Sequence, residues 1–201
     1  MARGRPVSFD KRETLETTLN VFWQSGYLGA SYTDLCAATG LTKPSLYGAY
    51  GNKEEMFQAA LDMYLERFVR PGLTLLAQEP DPREGLQKLL IATVDGLTAN
   101  GTPPGCMIAA NIACVGAADI PGPVSNALGN AVKETPNAIL RRLSDAEAGE
   151  LPLGISPVSL ALYFEAVISG LSGLARQGAS REDLLAIVET SILFWRNNPR
   201  R

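Results

Sequence analysis

The stretch Tyr32–Phe57, YTDLCAATGLTKPSLYGAYGNKEEMF, holds three helix starts in 26 residues. Ser31 with Asp34 three residues on gives the first start, and Gly40 gives a stop. Thr42 opens a second short helix whose first turn tolerates Pro44, and Asn52 with Glu55 opens a third. Gly40-Leu41-Thr42 is then a tight turn, with Gly40 suited to the left-handed conformation that re-aims the chain. Leu35, Leu41 and Leu46 should form the contact between the two short helices. Cys36 falls where the helices approach and only a small side chain fits. Two short helices joined in this way form a helix-turn-helix, whose second helix enters the DNA major groove.

Outward from this stretch, start signals followed by apolar residues at three-four spacing recur along the chain. They predict an all-α protein of about nine helices, near 10–25, 32–39, 43–49, 53–78, 82–100, 106–117, 121–146, 157–178 and 180–197. Pro71-Gly72 should kink or break the fourth, and Gly101–Gly105, with two prolines, is a loop. No run shows sustained strand alternation. Two domains are expected, a DNA-binding head over 1–53 and an effector-binding and dimerisation domain over 54–201.

Charge divides in the same way. Residues 1–53 carry six Lys/Arg against four Asp/Glu, and 54–201 carry twelve against seventeen. Only the first part has the sign that suits phosphates. There are no histidines, which removes Ser-His-Asp and Cys-His catalysis and most zinc sites. Cys36, Cys106 and Cys114 lack metal-ligand spacing. With no phosphate-binding glycine loop and no nucleophile elbow either, no enzyme, metal or cofactor is expected. No stretch reads as the run of about 20 apolar residues that a membrane span needs. The basic N-terminus has no apolar run after it, so a cytoplasmic protein without membrane contact is expected.

The stretch closely resembles the DNA-binding signature of the TetR family of repressors. Gly40-Leu41-Thr42-Lys43-Pro44-Ser45-Leu46-Tyr47, the aromatic Tyr50, Asn52-Lys53-Glu54-Glu55 and Phe57 carry the match, which covers roughly residues 8–60. The resemblance implies that Thr42, Lys43, Pro44 and Ser45 face the groove, with Ser31 nearby on the DNA side. Tyr47 and Tyr50 resemble the family's aromatic pair, with Tyr47 reaching a phosphate. Lys53 would meet another phosphate beside the free N–H groups of its helix N-terminus. Arg3 and Arg5 lie on an arm of the kind that reaches a minor groove. Gly48 and Ala49 depart from the family's bulkier residues, so base readout should rest on 42–45.

The same resemblance implies a homodimer on a palindromic double-stranded operator, with recognition helices about 34–36 Å apart or somewhat more. The last two helices fit this, being apolar around too much of their circumference for one-sided burial. Leu160, Phe164, Val167, Leu171 and Leu174 make one stripe, and Gly170 and Gly173 allow close approach of another helix. Ser169, Leu171, Ser172, Val188, Ile192 and Trp195 are the expected interface residues. The middle helices should enclose a pocket for an apolar or aromatic small-molecule effector. Its expected lining is Met63, Tyr64, Phe68, Leu90, Val94, Leu97, Cys106, Met107, Asn111 and Phe164, with Tyr64, Asn111 and Glu165 as its polar groups. Some TetR-like regulators carry a Gly-Cys-apolar stretch like Gly105-Cys106-Met107, and in some a cysteine senses electrophiles or oxidants. Cys106 at a helix N-terminus would favour the thiolate, with Cys114 about 12 Å further along that helix.

Overall fold

The computed structural model describes residues 9–195, which contain helices, turns and loops and no strand. The expected Arg3 and Arg5 lie outside these residues. The helices are α1 (Lys11–Gly29), α2 (Tyr32–Thr39), α3 (Lys43–Tyr50), α4 (Lys53–Tyr64), α5 (Arg70–Gln78), α6 (Pro82–Leu97), α7 (Met107–Ala110), α8 (Gly122–Ser144), α9 (Pro157–Arg176) and α10 (Arg181–Ser191). A π-helical turn, Leu65–Val69, joins α4 to α5, so the two form one bent rod. Counted as one, they leave nine helical segments, the all-α architecture expected.

Local chemistry accounts for the starts. The Asp10 carboxylate accepts from the N–H groups of Arg12 and Glu13. Ser31 with Asp34, Asn52 with Glu55, and Ser180 with Asp183 form reciprocal capping boxes. Gly40, at φ 69° and ψ 8°, closes α2 in the left-handed region, and its N–H reaches the Cys36 carbonyl. Leu35 and Leu46 are fully buried where α2 meets α3, with Leu41 and Cys36 half-buried beside them.

Two helices differ from expectation. The fourth is distorted before Pro71 as a kink requires, but it does not break there: the distortion is a π turn one turn earlier. Proline lacks the N–H for the carbonyl four residues back and crowds it, so the distortion falls on the preceding turn. The helix expected over 106–117 is a four-residue α7 followed by a 3-10 turn, Ile112–Cys114. Asn111 ends it: its Nδ2 donates to the Met107 carbonyl at 2.9 Å, and its own N–H turns to Ile108. A side chain that competes for the backbone in this way disfavours helix continuation. The spacing expected between Cys106 and Cys114 along one helix therefore does not apply.

The buried residues form two cores. One joins Leu19, Phe22, Trp23, Leu35, Leu46 and Phe57 of the first four helices to Met107, Cys114, Val124 and Leu128. The other joins α5, α6, the C-terminal half of α8, α9 and α10 through Leu86, Leu90, Val94, Ile139, Leu143, Phe164, Leu171 and Val188. Helix α8 runs through both, with Pro136 between its two buried stretches. Contrary to the sequence reading, α9 is long and apolar enough, by length and composition, to cross a membrane. Here it packs against α6, α8 and α10 as a core helix.

The first core is tied to the middle of the chain by polar bonds. Gly26, at φ 72° and ψ 169°, interrupts α1 where its regular turns were expected to end. The Tyr27 N–H that follows donates to Asn111 Oδ1 at 2.7 Å, and Trp23 Nε1 donates to the Gly105 carbonyl at 3.1 Å. Asn111→Ala would leave a buried N–H unpaired, at a cost of about 1–3 kcal/mol. Denaturant unfolding should show that loss; an unchanged midpoint would count against this anchoring.

Candidate nucleic-acid interface and internal cavity

The α3 face is built from the turn outward. Thr42 caps α3, accepting from the Ser45 N–H, and the Thr42 and Ser45 hydroxyls lie 2.9 Å apart. Thr42, Lys43, Pro44 and Tyr47 are exposed at the start of this helix, and Ser45 is half-exposed. A Cβ built on Gly48 would meet nothing, so the helix presents a shallow surface there. Ser31 is exposed, with its hydroxyl held by the Asp34 carboxylate at 2.6 Å.

Tyr32, not among the expected contacts, organises this surface. Its ring stacks on Tyr47, with centroids 5.8 Å apart and planes at 17°. The Lys43 ammonium lies 4.3 Å from the Tyr32 ring centroid. One aromatic thus braces two of the expected DNA contacts and limits the side-chain freedom lost on binding. Burial, then the neighbouring Tyr47 hydroxyl, push the Tyr32 phenol up to about 12, so it is neutral near pH 7. Tyr32 stands first in the signature stretch, but nothing in its spacing marks it as a brace.

Lys53 is placed in the same manner. Its ammonium lies 4.4 Å from the Tyr27 ring centroid, and burial lowers its pKa. It opens α4, beside N–H groups that face phosphate-sized anions well. Tyr50 differs from Tyr47. It is half-buried, and its hydroxyl donates to the Lys11 carbonyl, closing the head between α3 and α1.

A cavity of about 490 Å³ lies at the seam between the two cores. Tyr64, Phe68, Leu97 and Cys106 line it, together with Leu89, Ile108, Val132, Thr135, Pro136, Glu165, Ile168, Ser169 and Ser172. The other six expected lining residues are elsewhere. Leu90, Val94 and Phe164 are fully buried in the second core, and Met107 in the first. Met63 packs partly buried against the first core, and Asn111 spends its amide on Tyr27 and Met107. Cys106 Sγ accepts from the Tyr64 hydroxyl at 3.2 Å. Burial, then the Cys106 thiol, hold the Tyr64 phenol well above its ordinary value, so it keeps its proton and donates.

The expected interface residues on α9 and α10 need correction. Leu171 is 0% exposed, and Ser172, Val188, Ile192 and Trp195 are buried inside the protomer, with Trp195 Nε1 donating to the Glu150 carbonyl. Of the six only Ser169 is exposed. The helices present a different face outward: Val158, Leu162, which is 60% exposed, Ala166, Gly170, Gly173 and Leu174 on α9, then Leu193 and Phe194 after α10. Of the expected stripe, Leu160, Phe164 and Leu171 lie on the inward side of the same helix, Val167 is half-buried, and Leu174 is on the outward side.

A capped helix-turn-helix with an exposed second helix, carried on an all-helical body, defines a DNA-binding regulator. A family model described as "Bacterial regulatory proteins, tetR family" matches residues 15–60. The chain is 33% identical over 196 residues to the HTH-type transcriptional repressor ComR of Escherichia coli, covering 96% of this chain and 92% of that protein. Its fold matches, at a TM-score of 0.82 and 34% identity, a cysteine-substituted form of the TetR family transcriptional regulator CifR complexed with 26-base-pair operator DNA. That match covers 94% of this chain and 98% of the other. A TetR regulator from Rhodococcus is 34% identical over 94% of this chain, with a TM-score of 0.59. The chain belongs to the TetR family and is a DNA-binding transcriptional regulator.

The geometry separates two kinds of contact. Lys53→Ala should lower the salt slope of log affinity for DNA by about one. Tyr32→Ala should weaken binding through Lys43 and Tyr47 while leaving that slope nearly unchanged. Gel shifts at three salt concentrations distinguish them; equal slopes for Lys53→Ala and the unsubstituted protein would remove Lys53 from the phosphate contacts.

Proposed function

We propose that the protein is a repressor that binds a palindromic operator as a homodimer and releases it when a small molecule fills the cavity. The observation that carries this reading is the double use of Gly105–Ile112. Cys106, Ile108, Ala109 and Ile112 line the cavity, while Gly105 and Asn111 hold Trp23 and Tyr27 of the head. A ligand that displaces this segment would move α1 against its own hydrogen bonds. It acts only through different affinity for the two arrangements. The DNA contacts are Ser31, Thr42, Lys43, Pro44, Ser45, Tyr47 and Lys53. Residues 1–53 act as the DNA-binding head and 54–201 as the effector and dimer body, with α4 carrying movement between them. A relative bound to operator DNA at 34% identity supports the DNA contact. We place the protein in the cytoplasm, where its DNA is, and assign it no catalytic role.

The outward face of α9 is where a second copy would pack. Gly170 and Gly173 have open space beside them, as an approaching helix requires, and the residues around them are apolar. Leu162→Glu should give a folded monomer with weakened operator binding, measured by light scattering and circular dichroism. Leu171→Glu should instead unfold the protomer, because it buries a charge at a cost of several kcal/mol. A folded dimer of the Leu162 variant would place the interface elsewhere.

A second reading has its own observation. Cys106 lines the cavity, where an electrophile that entered would meet its sulfur, and that sulfur accepts from the Tyr64 hydroxyl. The four-residue α7 offers little dipole at its N-terminus, and the Tyr64 hydroxyl is the polar group that touches the sulfur. Cys114 is buried, and burial, then Asp119, push its thiol up. Cys106 should therefore alkylate fastest of the three cysteines near pH 7, and Tyr64→Phe should slow it several-fold. Rapid alkylation that leaves DNA binding intact would reduce it to a reactive bystander.

A further inference from the structure

The cavity wall is unbalanced in charge. Glu165 is its only ionisable carboxylate, and neither Lys nor Arg is among its lining residues. Among the described residues, Glu165 is joined to none of the cations that form ion pairs. It heads a polar stripe on α9, because Glu165, Ser169 and Ser172 follow at helical spacing and all line the cavity. The facing wall is apolar and aromatic, with Phe68, Leu89, Leu97 and Ile108.

The backbone of α8 adds a second acceptor. Pro136 lies inside α8 and lines the cavity with Val132. Without an N–H, Pro136 leaves the Val132 carbonyl lacking its usual donor four residues on. Donors on the wall are all uncharged: the Thr93 and Tyr64 hydroxyls are used by the Leu89 carbonyl and Cys106, and the Thr135, Ser169 and Ser172 hydroxyls supply no positive charge. An anionic ligand would meet a carboxylate and an open carbonyl with no cation to offset them. A cation there would gain both, with aromatic rings nearby.

We propose that the cavity takes a lipophilic cation, an apolar or aromatic body carrying an ammonium or amidinium group, with Glu165 holding the charge. This rests on the cavity being the effector site. It narrows the ligand from apolar molecules in general to those that bring a positive charge to α9.

The test uses three compounds of one shape: 4-phenylbutyl-trimethylammonium, its neutral tert-butyl carbon isostere, and 5-phenylpentanoate. Calorimetry on the full-length protein should give the cation at least about tenfold tighter binding than the isostere, a difference of about 1.4 kcal/mol. The anion should bind weakest. Glu165→Gln should bring cation and isostere to within about twofold while leaving affinity for the isostere unchanged. Circular dichroism and operator binding of the ligand-free variant should match the unsubstituted protein, which separates a charge effect from misfolding. Equal or tighter binding of the isostere or the anion would overturn the cation proposal and leave the cavity as an effector site. A cation preference that survives in Glu165→Gln would overturn the role of Glu165. If none of the three binds and none releases operator DNA, the effector-site reading itself fails.

Discussion

The Tyr27 backbone N–H is the point on which the rest of the structure turns. Gly26 takes α1 out of helical geometry, and the N–H that follows finds its acceptor in the Asn111 side chain at 2.7 Å. The same amide bonds the Met107 carbonyl and ends α7 after one turn. One asparagine thus fixes where α1 is interrupted, where α7 stops, and how the head meets the body. A buried amide with both ends committed is costly to misplace, so the junction has one well-defined arrangement.

Gly105 extends this junction to α9. Its φ of +83° is left-handed, and a Cβ there would lie 3.1 Å from Arg176 Cβ and 3.2 Å from the Ser172 carbonyl. Its own carbonyl accepts from Trp23. The Arg176 guanidinium reaches the Gln24 carbonyl at 3.4 Å. The segment before α7 is therefore pressed between the head and the helix whose outer face is apolar. Cavity, head and outer face meet within a few residues, which is the arrangement a ligand-gated regulator needs.

The head was legible in the sequence because its signals are local. Caps, the Gly40 turn and the Leu35–Leu46 contact each depend on residues a few positions apart. Tyr50 was expected at the DNA as one of an aromatic pair, yet its hydroxyl closes onto Lys11, a partner that spacing cannot reveal. The cavity was half legible. Leu90, Val94 and Phe164 have the same periodicity as true lining residues, and only the seam between the two cores decides which of them face empty space. That seam lies beside the π turn and Pro136, where the packing of the helices is irregular. On α9 the expected interface residues proved to be mostly inward-facing, and the outward apolar face was not picked out. Apolar residues lie on both sides of the α9 polar stripe, and local spacing does not say which side the rest of the protomer covers.

The central claim is that the cavity and the head share the Gly105–Ile112 segment. Amide hydrogen exchange at Tyr27, followed by NMR, tests it directly. In the operator-bound protein this amide should be strongly protected. When a cavity ligand has released the operator, protection at Tyr27 should fall by about tenfold or more, while amides of the second core, such as Leu90 and Phe164, stay unchanged. Release of DNA with full protection retained at Tyr27 would contradict the claim, and the signal would then have to leave the cavity by another route.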